Sequence, residues 1–132
     1  MSIRITVEEA LLANSVCGKL LTKAFPIKTS FKLAQLIKEL SAIEQIFFEA
    51  KNKAILKYAK RNEMDEIIMD ETEDGQSFIP LAPEHMESCA KELNDTLKET
   101  VEISKIQFLI EEFGNELLSP EDLLGIYPFI TE

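Results

Sequence analysis

The sequence has little of the material that reactive sites are built from. Its 132 residues contain no tryptophan, one histidine, two cysteines and four glycines. With one histidine, any Ser/His/Asp or Cys/His arrangement must use His85. That residue falls in the expected first turn of a helix, where the positive dipole end disfavours its protonation, and no strong nucleophile neighbours it, so a surface histidine is expected. Cys17 and Cys89 are far apart and have no neighbours at metal-ligand spacing. Two reduced, buried thiols are expected, with a Cys17–Cys89 disulfide as the alternative the sequence leaves open. Four glycines make no phosphate loop. No apolar run approaches the roughly 20 residues that span a bilayer. Met1-Ser2-Ile3-Arg4 is not followed by an apolar run of signal type, so synthesis in the cytosol is expected. There is no internal repeat and no low-complexity tract. No catalytic, cofactor-binding or metal-binding residue is therefore assigned, and no enzymatic activity is expected.

What is present is apolar and acidic. An apolar fraction of 45% with 29% charged residues suits a globular chain, and 132 residues suit a single domain, 1–132. The net charge is −10, and it is unevenly placed. Residues 1–62 carry 11 basic and 5 acidic groups, whereas residues 63–132 carry 3 and 19. Either the halves fold against each other and neutralise in part, or opposite-signed faces dock different partners. The net negative charge disfavours duplex DNA as a ligand. The ten aromatics, eight Phe and two Tyr, fall mainly on apolar faces rather than between basic residues, unlike the arrangement in single-strand binders.

The pattern predicts a mostly helical α+β fold: a helical hairpin with one long helix, and a small antiparallel β element. An all-α bundle is the alternative. Ser2 to Ile5 alternates as a short strand. Thr6-Val7-Glu8-Glu9 has the spacing of a capping box, so a helix begins at Val7. Its stripe is Leu12, Val16 and Leu20, widened by Ala13, Cys17 and Leu21, and Pro26 stops it. Gly18 either weakens this helix or marks close approach by another. Thr29 or Ser30 caps a second helix running to about Arg61. Leu33, Leu40, Phe47 and Ala54, with Leu36, Ile43 and Ala50, form an a/d pattern over about three heptads. Ile37, Ile46, Phe48 and Tyr58 widen it. At about 1.5 Å per residue the helix is longer than a compact domain of this size is wide, so part of it protrudes or a second subunit covers it. Lys51, Lys53, Lys57, Lys60 and Arg61 crowd its end, either as cations favoured by the macrodipole or as a docking patch for an acidic surface.

Further on, Glu66–Met69 and Ser77–Ile79 are expected to be strands of a hairpin turning on Asp74-Gly75, with Pro80 marking an edge. Asp70, Glu71, Glu73 and Asp74 suggest calcium, but the glycine and glutamate positions of an EF-hand loop are missing. A solvated hairpin tip is expected. Pro83 opens a helix with Met86, Ala90, Leu93 and Leu97 on one face, ending near Glu99. Val101-Glu102-Ile103 and Ile106-Gln107-Phe108 alternate on opposite phases, implying a break near Ser104-Lys105. A helical turn follows at Glu111-Glu112-Phe113, which Gly114 could end. Ser119-Pro120-Glu121-Asp122 is a helix start with serine cap and proline at the first position. Leu123, Leu124, Ile126 and Tyr127 follow, and Phe129 and Ile130 should pack down. The acid pairs Glu111-Glu112 and Glu121-Asp122 already have this helix-start explanation.

Several of these stretches occur together in a recognisable order: Lys23-Ala24-Phe25-Pro26-Ile27-Lys28-Thr29-Ser30, Lys32-Leu33-Ala34, Asp74-Gly75, Val101-Glu102-Ile103 and Leu118-Ser119-Pro120-Glu121-Asp122-Leu123. The chain thereby resembles a family of small proteins of unknown function from tailed phages and prophages, chiefly of Gram-positive bacteria. The resemblance implies a phage origin, a location in the host cytoplasm or on the virion, and genes close to tail and lysis genes. It implies no catalytic residue. The resulting expectation is a non-enzymatic protein-binding protein of tail or virion assembly. Leu33, Leu36, Leu40, Ile43 and Phe47 would carry self-association into a homo-oligomer or docking to a virion component. Burying five such side chains is worth on the order of 10 kcal/mol before entropy costs. A second expectation is an acidic inhibitor of a host defence enzyme, with Asp70, Glu71, Glu73, Asp74, Glu111 and Glu112 imitating nucleic-acid charge. A third is a nucleic-acid-binding accessory factor using Lys53, Lys57 and Lys60. No cofactor and no membrane partner is expected.

Overall fold

A computed structural model describes residues 2–113 and 118–131. It is mostly helical with small β elements, so the all-α alternative does not hold. The chain forms two compact units, Met1–Gln45 with Lys98–Glu132, and Ile46–Leu97.

The first unit begins with β1 (Ser2–Thr6), which runs directly into α1 (Val7–Leu21). The junction is the capping box read from the sequence: the Glu9 N–H donates to Thr6 Oγ1 at 3.1 Å, and the Thr6 N–H donates to Glu9 Oε1 at 2.9 Å. α1 buries Ala10, Ala13, Val16, Cys17 and Leu20. Leu12 and Leu21, expected on that stripe, are exposed, because the buried face centres on 13, 16, 17 and 20 and both lie at its margin. Gly18 is exposed and meets no neighbour, so it marks no close approach. The helix ends at Leu21, before Pro26 is reached.

α2 spans Ile27–Lys57, 31 residues or about 46 Å at 1.5 Å each. It starts earlier and ends earlier than its sequence suggested. The Pro26 carbonyl accepts the Ser30 N–H at 3.0 Å, so Pro26 stands at the cap position and both Thr29 and Ser30 lie in the first turn. Thr29 is buried there and donates its hydroxyl to the Glu112 carbonyl. Asn14 Nδ2 reaches Glu44 Oε2 at 2.8 Å, tying α1 to α2 as the predicted hairpin. Leu33, Leu36 and Leu40 are fully buried in the core beside α1.

β4 (Thr100–Ser104) returns antiparallel to β1, Ser2 facing Ser104 and Thr6 facing Thr100. Ile5 and Ile103 are buried while Arg4 and Glu102 form an exposed cross-strand ion pair at 3.1 Å. The expected break falls at 105–107. β5 (Phe108–Leu109) then leads into a 3-10 turn, Ile110–Phe113. The residue expected to end that turn, Gly114, lies outside the described residues. α4 (Pro120–Ile126) is capped by Ser119, whose hydroxyl accepts the Asp122 N–H. Gly125 lets α4 approach α1: a Cβ there would lie 2.5 Å from Val16 Cγ2. A second 3-10 turn (Tyr127–Phe129) and β6 (Ile130–Thr131) end the chain, β6 pairing parallel with β5. Phe129 packs down as expected, whereas Leu124 and Tyr127 are exposed.

The second unit holds the last turns of α2, a β meander and α3 (Met86–Leu97), the last opened by a 3-10 turn at Pro83–His85. The segment after α2 is inserted at the base of the hairpin. Arg61 bridges Ile67 on one side and Ala59 bridges Leu81 on the other. That insertion displaces the expected strand: Ile67 makes a single bridge, and the paired residues are β2 (Asp70–Glu71) and β3 (Ser77–Phe78). The hairpin loop has three residues, Glu73-Asp74-Gly75, not two. The Gly75 N–H donates to the Thr72 carbonyl, and Gly75 takes φ +83°. This is the turn-plus-bulge form in which glycine supplies the left-handed residue. On α3 the buried residue is Cys89, with Leu93 and Leu97 half-buried. Met86 and Ala90, expected on the inner face, are exposed.

Candidate functional site

The structure spends the predicted docking stripe on the chain itself. Leu33, Leu36 and Leu40 have no exposed surface, and Ile43 packs half-buried against the same core. Phe47 is buried in the second unit. A partner cannot reach Leu33, Leu36 and Leu40, so this part of the stripe is corrected from docking surface to core. What α2 leaves exposed is a different set, including Ile27, Phe31, Ile46 and Phe48.

The basic end of α2 is partly neutralised. Lys57 Nζ lies 3.1 Å from Glu92 Oε1, which also accepts the Tyr58 hydroxyl at 2.9 Å. The Glu92 hydrogen bond raises the Lys57 ammonium, and the Lys57 hydrogen bond lowers the Glu92 carboxyl. Lys53 and Lys60 are exposed. Tyr58 also stacks near His85, ring centroids 5.5 Å apart.

Opposite-signed halves of the chain meet in pairs. Arg4–Glu102, Lys19–Asp122, Lys32–Glu112, Lys57–Glu92 and Arg61–Asp65 each join a cation from residues 1–62 to a carboxylate from 63–132. The two best enclosed belong to the first unit. Asp122 is buried, and the Lys19 hydrogen bond holds its carboxyl below the usual range against the opposing effect of burial. At Glu112, burial pushes upward, but hydrogen bonds from Lys32 and the Leu109 N–H, with the charges of Lys32 and Lys28, outweigh it and the carboxyl is held low. Lys32 also donates to the Gln107 carbonyl and sits over the Phe108 ring.

Asp70, Glu71, Glu73 and Asp74 are all exposed on the hairpin. Among the described residues no group of three or more His, Cys, Asp or Glu side chains is placed to hold a metal ion. Both cysteines are free and buried, and burial pushes the Cys17 thiol up to about 12. No helix of the described residues is long and apolar enough to cross a membrane.

Each unit carries a hollow that opens on the surface. On the first unit, Ile110, Leu123, Tyr127, Pro128 and Ile130 enclose about 490 Å³. On the second, Phe47, Ala50, Ala54 and Leu93 line a hollow of about 310 Å³ together with Glu92, Asp95 and Thr96. The small side chains of Ala50 and Ala54 leave the space between the helices unfilled. Sequence reasoning missed the first hollow, since Ile130 was expected to pack down and Tyr127 was given no role. It also missed the exposed apolar residues of the acidic segment, Met64, Met69, Phe78 and Met86. A signal for these was present: Met64 and Met69 stand among carboxylates with no helical apolar period around them.

No family model, no curated protein and no solved structure matches the chain.

Proposed function

We propose that this chain is a non-enzymatic, protein-binding phage protein that acts in tail or virion assembly. The observation that carries the reading is the apolar hollow of the first unit, with exposed Ile110 and Tyr127 on its wall. A concave, apolar site with an aromatic side chain at its edge takes an aliphatic or aromatic anchor from a partner, and such anchors dominate binding energy. The partner is a virion component or a second copy of the chain. The phage setting is what the sequence resemblance implies, and with it a location in the host cytoplasm or on the virion. Replacing Ile110 and Tyr127 together by aspartate in the phage genome tests it. Tail-deficient particles are expected, with the purified variant still folded by circular dichroism. Normal particles carrying the folded double variant would count against an assembly role.

A second reading is favoured by the hairpin. Its four carboxylates, Asp70, Glu71, Glu73 and Asp74, are exposed, as an acidic inhibitor of a basic host enzyme requires. Neutralising them to Asn and Gln should abolish growth on a host carrying such a defence enzyme and leave particle assembly unaffected. Unchanged growth on that host removes this reading.

A further inference from the structure

The second unit has an unusual surface between α2 and the middle of α3. From residue 62 to residue 90 there are nine carboxylates and no lysine or arginine. Such a surface would ordinarily be polar throughout, yet Met64 is 78% exposed, Met69 58%, Met86 56% and Phe78 42%. Methionine is unbranched and polarisable. On a surface it moulds itself to a partner's apolar face.

These side chains are presented by hydrogen-bonded backbone, not by loose chain. Asn62 Oδ1 accepts the N–H of Met64 at 2.9 Å and of Glu66 at 3.0 Å. The Asn62 carbonyl accepts the Asp65 N–H, and Arg61 Nη1 donates to the Asp65 carbonyl. Met64 therefore sits on a fixed turn. On the hairpin, Phe78 faces Asp70 across the ribbon, which places an aromatic ring and a carboxylate side by side on one face. The hollow of the same unit also brings apolar side chains beside a carboxylate, Asp95.

We infer that residues 62–90 form the docking surface for a cationic amphipathic segment of a protein partner, a helix or strand that offers lysine or arginine beside aliphatic side chains. The inference rests on the protein-binding reading above and names the partner's chemistry. Charge complementarity selects the occupant. Apart from Asp65, which pairs with Arg61, these carboxylates form no ion pair among the described residues, so an acidic partner would be repelled and a neutral one would leave them unpaired. The exposed Met and Phe separate it from a mere imitation of nucleic-acid charge, since that needs no apolar contact. Most of these carboxylates, among them Glu63, Glu71, Glu73, Asp74, Glu84 and Glu87, have no cationic partner among the described residues.

The probe is a synthetic amphipathic helix of leucine and lysine, compared with oligolysine of equal charge, using the full-length protein. The leucine–lysine peptide should bind at least about ten-fold tighter than oligolysine, because the apolar face adds burial to charge. Its backbone-amide shift changes should fall within 62–90. Met64→Ser, Met69→Ser and Met86→Ser combined should weaken it about ten-fold or more with an unchanged circular dichroism spectrum. Equal affinity for the two peptides overturns the inference. So does binding that maps to Ile110 and Tyr127 or to Ile27 and Phe31, although the protein-binding reading then survives. Dimerisation in sedimentation that the triple serine variant abolishes overturns it as well, making the occupant a second copy.

Discussion

Gly125 illustrates how a single position sets helix approach. Its missing side chain is what lets α4 lie against Val16, since a Cβ would stand 2.5 Å from Cγ2. Gly125→Ala should therefore destabilise the protein by about 1–3 kcal/mol, despite alanine's better helix propensity. Adding Val16→Ala should recover part of that loss, and urea unfolding of both variants checks it. A Gly18→Ala change, with no neighbour to meet, should be neutral or stabilising. The cysteines behave as small apolar residues. With Cys17 fully buried and its thiol pushed up to about 12, it stays protonated at neutral pH. Ellman's reagent should label neither Cys17 nor Cys89 in native protein within the time that both react in urea. Rapid native labelling would show that the surrounding packing opens.

At the scale of elements, α2 is one helix with two employments. Its inner positions Leu33, Leu36 and Leu40 are wholly buried, and its outer positions Ile27, Phe31 and Ile46 face water. Leu36→Ala should cost about 2–5 kcal/mol, through lost burial and the cavity left behind. Ile46→Ala should change stability by no more than about 0.5 kcal/mol. Comparable losses at both positions in thermal unfolding would mean that Ile46 is covered in solution, as it would be in an oligomer. The hairpin β2–β3 contributes little burial, since both its strands are exposed. Its geometry depends on the left-handed Gly75 and the capped turn before it.

For the whole molecule, charge and stability are linked. Asp122 and Glu112 titrate below the ordinary carboxylate range in the folded state. A folded-state pKa held down means that the unfolded chain binds protons more readily. Their contribution is complete above the unfolded carboxyl value of about 4 and is lost as pH falls from there through the lowered folded value. The urea midpoint should therefore fall as pH drops below about 5, and go on falling below the unfolded carboxyl value of about 4. Asp122→Asn should lower the midpoint at pH 7 and flatten the descent. A pH dependence identical to that of the parent would show that the Lys19–Asp122 pair contributes nothing.

Much of this was legible from residue order, because the signals involved are local. The Thr6–Glu9 capping box, the Ser119-Pro120 start and the glycine of the hairpin loop each act within four residues of backbone, and all three stand in the structure. The heptad spacing likewise fixed which side of α2 is apolar. Which apolar side chains are covered was decided only when distant segments came together. α1, β4 and the C-terminal segment 118–131 close over Leu33, Leu36 and Leu40, turning an apparent docking stripe into core. Insertion of residues 59–61 at the base of the hairpin moved its pairing toward the tip. The same assembly left Met64, Met69, Phe78 and Tyr127 in water. Hydrophobic burial is non-directional and is shared among all apolar faces of a chain, so periodicity marks a face that seeks cover. Tertiary packing determines which face obtains it within the molecule and which must find it elsewhere.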